Sequence, residues 1–146
     1  MIDLYRNIDL FCPGTIEFIF DIIYQLGYTD EDLNSPSKET IVKKDVLKSI
    51  KDLMELNVLS VKSWYEKSEF SKENPEIDEI INRIDGIWFK GAKYPDFFNM
   101  VLFDVPDWYI NTLKDLGMSD TTNWKNFVET HIGDLEQWIK KNKPRD

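Results

Sequence analysis

Only one cysteine, Cys12, and one histidine, His131, occur among 146 residues. A single thiol cannot close an intramolecular disulfide, so core packing must hold the fold, and the count fits a reducing compartment. One histidine excludes an H-x-x-x-H zinc pair, and one cysteine excludes a thiolate cluster. The six glycines stand singly, so neither of the glycine-rich phosphate cradles, G-x-x-x-x-G-K-[ST] and G-x-G-x-x-G, is present, and there is no G-x-S-x-G elbow. No stretch reaches the roughly 20 apolar residues that cross a bilayer. Asp3 and Asp9 stand where a secretory leader needs positive charge, and Asp21 interrupts the first long apolar run. The expectation is a cytoplasmic protein with no cofactor, no metal and no membrane partner.

What is present suffices for a packed core. Hydrophobic residues make up 42 % and aromatics 14 %, well above a disordered chain, and the length suits a single domain over residues 1–146. Thr15 is the expected cap of a first helix, with Ile16, Ile19, Phe20, Ile23 and Leu26 at helical spacing and Gly27 at its end. Asp30-Glu31-Asp32-Leu33 reads as a short helical turn, and Asn34-Ser35-Pro36-Ser37 as a loop. Asp45 then caps a second helix carrying Val46, Leu47, Ile50, Leu53 and Met54, closed by Asn57. The β-branched and aromatic run from Val58 to Tyr65 predicts a strand.

Asn74-Pro75-Glu76 predicts another helix start, followed by the stripe Ile77, Ile80, Ile81 and Ile84 and a stop at Gly86. Ile87-Trp88-Phe89 and Phe97 to Val105 read as strands. The second is apolar at nearly every position, as a strand covered on both faces would be. Pro106 opens a helix closed by Gly117, and Ser119 or Asp120 caps a last helical region broken near Gly133. The five tryptophans are core candidates, with Trp108 and Tyr109 expected to be partly exposed. About five helices and a few short strands, without βαβ alternation, define a helix-rich α+β fold.

Candidate chemistry is sparse. Asp30-x-Asp32-x-Asn34 opens like an EF-hand loop, but Ser35 replaces the turn glycine and Ile41 the bidentate glutamate, so calcium binding is not expected. His131 reads as a side chain on an acidic helix rather than an acid–base group. Cys12-Pro13-Gly14-Thr15 runs into a helix start whose amides would lower a thiol pKa. It superficially resembles the Cys-Pro-Gly-Cys site of thioredoxin-like oxidoreductases, but with Thr15 as the fourth residue dithiol chemistry is impossible. No catalytic residue is identified.

Charge supplies the functional expectations. The net charge of −9 favours a basic partner over a nucleic-acid coat. Basic charge is local: residues 43–67 hold six lysines against four acids, and residues 140–146 hold four bases against one acid. Residues 15–65 have the element order of a winged helix, with Lys44, Lys48 and Lys51 on one helical face and Lys62 and Lys67 in the wing. That order implies a DNA-binding regulator as the alternative. Asp45, Asp52 and Glu55 interleave with those lysines, as on an ordinary solvated face. The leading expectation is therefore a non-catalytic protein-binding domain, in concrete form an immunity- or antitoxin-type inhibitor covering a basic protein. Its candidate contacts are Asp30, Glu31, Asp32, Glu76, Asp78 and Glu79.

Overall fold

The computed structural model describes residues 7–66 and 75–144. The fold is helix-rich α+β, with seven α-helical segments and one two-stranded antiparallel sheet among the described residues. A 3₁₀ turn, Ile8–Phe11, leads to α1 (Ile19–Gln25). Its N-cap position is Phe18, three residues beyond the expected cap at Thr15. The Asp21 carboxylate accepts the amides of Glu17 and Phe18, each at 2.9 Å, so the cap acts from inside the first turn. Gly27 closes the helix at φ +88°, as its position predicts.

After α2 (Asp30–Asn34), the expected loop shrinks to Ser35 alone, because Pro36 takes the first position of α3 (Pro36–Glu55). Proline suits that position, where its missing N–H has no partner to lose. The long helix absorbs Asp45, which caps nothing and instead accepts a hydrogen bond from the Tyr28 hydroxyl. Val42, Val46, Ile50 and Leu53 are fully buried along one face of α3, against Ile19, Ile22 and Ile23 of α1 in one continuous core. Asn57 closes α3 in the left-handed conformation, at φ 59°.

The strand expected over Val58–Tyr65 is β1 (Ser60–Trp64), and its partner is β2 (Val101–Asp104), reached only after α4 (Ile77–Ile87). Residues 15–65 hold three helices and then β1, and among the described residues β1 pairs with this distant strand. Gly86 lies inside α4 and the helix runs to Ile87, so Ile87-Trp88-Phe89 is no strand. The Trp88 ring is buried and meets Phe97 edge-on at 5.2 Å.

The long strand expected from Phe97 to Val105 is divided. Tyr94–Asn99 forms a 3₁₀ helix, started by Pro95 and by the Asp96 carboxylate, which accepts the Lys93 amide at 2.8 Å. Of the apolar run only Val101–Asp104 pairs, as β2.

Pro106 precedes α5 (Asp107–Asp115), and Gly117 follows at φ +106°. Within α5, Tyr109 is buried rather than partly exposed, and its hydroxyl donates to the Phe11 carbonyl at 2.5 Å. Neither Ser119 nor Asp120 caps the next helix. The Ser119 amide is held in a turn by Thr122 Oγ1, and Asn123 caps α6 (Trp124–Phe127) through the Asn126 amide. A π-helical turn, Val128–Ile132, then breaks at Gly133, and Asp134 caps α7 (Leu135–Asn142).

Candidate functional site

Five aromatic rings from two distant stretches of sequence meet at the surface. Phe20 of α1 lies at their centre, edge-on to Tyr94 at 4.5 Å, to Phe98 at 5.2 Å and to Tyr24 at 5.7 Å. Phe18 closes the group against Phe98 at 4.8 Å. These separations and tilts are those of favourable edge-to-face pairs. Tyr24 is nevertheless 48 % exposed, and Tyr94 and Phe98 are each 39 % exposed.

The local sequence explains why the rings point outward. Ile19, Ile22 and Ile23 take the buried side of α1, which leaves Phe20 and Tyr24, one turn apart, on the side toward solvent. On the 3₁₀ helix Phe97 turns into the core, so its neighbour Phe98 must turn out. The connection before that helix is fixed by α3. The Glu39 carboxylate accepts the Gly91 amide at 2.6 Å, and the Lys43 ammonium donates to the carbonyls of Asp85 and Trp88 at 3.0 and 2.9 Å.

Acidic residues neighbour the rings along the chain. Glu17 and Asp21 share the segment of Phe18 and Phe20, and Asp96 shares the 3₁₀ helix of Tyr94 and Phe98. Beside Tyr94 opens a small cavity of about 200 Å³, lined by Asp30, Leu33, Asn34, Lys93, Tyr94 and Pro95. Of the sequence-predicted contacts, this cavity contains Asp30, and Glu31 is its exposed neighbour.

The two acidic groups singled out in the sequence are not brought together. Asp32 belongs to the cap of α2, where it accepts the Thr29 amide at 2.9 Å and faces Lys38 of α3 at 3.6 Å. Those contacts hold its carboxyl below the ordinary range, the Thr29 amide first among the causes. Asp78, on α4, pairs with Lys51 near the other end of α3 at 3.1 Å. Thirteen residues of helix separate Lys38 from Lys51, about 20 Å at 1.5 Å per residue. Glu76 and Glu79 lie with Asp78 at the start of α4, so the groups occupy opposite ends of α3.

The lysine face is largely tied into ion pairs. Lys48 meets Asp52 at 2.5 Å, and Lys51 reaches both Asp78 and, at 4.0 Å, Glu55. Asp78 raises the Lys51 pKa through that contact. Lys44 and Lys62 are exposed, and Lys67 lies outside the described residues.

Cys12 is not at a helix N-terminus, since α1 begins seven residues later. Burial raises its thiol pKa, in keeping with a small, partly buried cysteine rather than an activated thiolate, and Thr15 offsets this only in part. His131 is exposed and packs on Phe127 at 4.9 Å between ring centroids. Among the described residues, no group of three or more His, Cys, Asp or Glu side chains could hold a metal ion. Nor is any of their helices long and apolar enough to cross a membrane.

The aromatic cluster escaped the sequence reading. Phe20 and Tyr24 carry a local signal, the four-residue spacing on one helical face. Nothing in the sequence joins them to Tyr94 and Phe98, seventy or more residues further on. Compared with protein-family models, with curated proteins and with solved structures, the chain matches none.

Proposed function

We propose that this chain is a non-catalytic protein-binding domain whose aromatic face docks a basic protein, in the manner of an immunity- or antitoxin-type inhibitor. The observation that carries the reading is the five-ring cluster of Phe18, Phe20, Tyr24, Tyr94 and Phe98, with three rings more than a third exposed. Aromatic side chains are enriched in interface cores and among the residues that dominate binding energy. Mutual packing holds these rings in place, so little ordering entropy would be lost on docking. The neighbouring acids and the net charge of −9 favour a basic partner, both in the rate of encounter and in the rejection of acidic competitors.

In this reading Asp30 and Glu31 contact the partner beside the rings, while Asp32, Glu76, Asp78 and Glu79 add to the field. The alternative of a DNA reader on Lys44, Lys48, Lys51, Lys62 and Lys67 has less support, because Lys48 and Lys51 already face carboxylates.

The test is capture from a native lysate with the wild-type chain and with the double variant Tyr24→Ser, Phe98→Ser, before and after nuclease treatment. A basic protein retained by the wild type after nuclease and lost by the double variant is the expected result. Equal retention by both chains removes the aromatic face from the interface. A signal that vanishes with nuclease moves the lysine face to the front.

A further inference from the structure

The cavity beside Tyr94 has the dimensions and chemistry of a receptor for one side chain. Its volume of about 200 Å³ falls below the roughly 300–1,000 Å³ of small-molecule pockets. Leu33 and Pro95 contribute apolar wall, Tyr94 an aromatic ring, and Asp30 a carboxylate. Among the described residues, that carboxylate makes neither an ion pair nor a hydrogen bond, because Asp32 does the capping of α2. Lys93 also lines the cavity, yet its ammonium is not paired with Asp30 among the described ion pairs. An unpaired carboxylate next to an aromatic ring and an apolar wall suits a long cationic side chain.

We infer that this cavity receives an arginine of the docking partner, its guanidinium on the Asp30 carboxylate and against the Tyr94 ring, its methylenes along Leu33 and Pro95. Arginine fits better than lysine for two reasons. Its planar guanidinium can donate two parallel hydrogen bonds to a carboxylate, and it stacks on aromatic faces with a smaller loss of hydration. Tyr94 belongs to both the cavity and the ring cluster, so the arginine would anchor the edge of the aromatic interface. The inference rests on the protein-binding reading and specifies the partner's side chain at that face.

The isolated chain can be tested without knowing the partner. Blocked pentapeptides with a central arginine, citrulline, lysine or glutamate are titrated to millimolar concentration against isotope-labelled protein, and amide shifts are followed by NMR. Saturable shifts at Asp30, Leu33, Asn34 and Tyr94 are expected with arginine. The neutral isostere citrulline, or Asp30→Asn in the protein, should weaken that binding about tenfold or more, as loss of a charge-assisted pair does. Lys93→Ala should tighten it, since a repelling ammonium is removed.

Absence of shifts at these residues with the arginine peptide overturns the inference, as does equal or better binding of the glutamate peptide. Weaker binding after Lys93→Ala would do the same, by marking an acidic ligand. If the peptides fail while lysate capture stays sensitive to Tyr24→Ser and Phe98→Ser, the arginine assignment falls and the aromatic docking face stands.

Discussion

The Gly91 amide donates a 2.6 Å hydrogen bond to the Glu39 carboxylate, tying the turn before the Tyr94–Asn99 helix to the first half of α3. Glu39 is only 8 % exposed, and Gly91 sits at φ +86°, where a side chain would strain the backbone. One turn further along α3, Lys43 holds the end of α4 by its carbonyls and pairs with the Asp85 carboxylate at 2.9 Å. Two opposite charges on neighbouring turns thus grip the same connection, one through an N–H and the other through C=O groups. This grip positions two of the five rings.

Replacing Glu39 with Ala removes the acceptor of the Gly91 amide, and loss of a part-buried hydrogen bond costs about 0.5–1.5 kcal/mol. Urea unfolding of Glu39→Ala should show a lower midpoint with an unchanged slope. Gly91→Ala meets no atom within 4 Å, so its expected cost, about 1–2 kcal/mol, comes from the left-handed backbone alone. A midpoint unmoved by both variants would show that the contact does not hold the connection.

Within the ring cluster, stability and binding should separate. Phe20 touches four rings, and Phe20→Ala should destabilise by about 2–3 kcal/mol, below the usual core value because the side chain is only half-buried. Tyr24→Ser, at the exposed margin, should cost less than about 1 kcal/mol. Thermal unfolding of the two variants reads the difference. Equal losses would mean that Tyr24 belongs to the core in solution.

Alkaline stability should depend on Tyr28. Its hydrogen bond to Asp45, with burial and the carboxylate charge adding to it, pushes the phenol pKa from 10.0 up to about 12. The folded state therefore favours the neutral phenol, and the sign follows from linkage. The stabilisation is complete below pH 10 and disappears as pH rises toward 12. Tyr28→Phe should remove this component, flattening the stability profile across that window. Denaturation of the two proteins at a series of alkaline pH values measures it, and parallel profiles would rule out the assignment.

Cys12 should react slowly. Burial raises its pKa, so a smaller fraction is thiolate at neutral pH than for a free cysteine. Alkylation by iodoacetamide should be slower than for a cysteine peptide, and should approach the peptide rate in denaturant. A rate above the peptide's in the native protein would reveal an activated thiol that this geometry does not provide.

Local chemistry was legible wherever one residue decides the backbone. Gly27, Asn57 and Gly117 close helices in the left-handed conformation that their types allow, and the stripe Ile77, Ile80, Ile81 and Ile84 marks α4. Elsewhere two local conformations suit the same residues equally well. Asp45 is a good cap, but equally good on a helix surface when a tyrosine lies within reach. Pro36 can end a loop or open a helix, and a helix that buries Val42 is favoured by the core it completes. The run from Phe97 to Val105 has strand composition, yet Pro95 and Asp96 start a helical turn that leaves four residues for pairing.

The sequence by itself determined the helix-rich α+β class, because helical spacing, caps and turn residues act within a few positions of one another. It also determined the acidic balance that a partner would meet. Only the tertiary structure decided that Phe18, Phe20 and Tyr24 share a surface with Tyr94 and Phe98, and that Asp30 lies beside Tyr94 while Asp78 is held by Lys51. Those relations depend on where α1 and the 3₁₀ helix come to rest against α3. Packing of the whole core sets that placement, and no short window of sequence contains it.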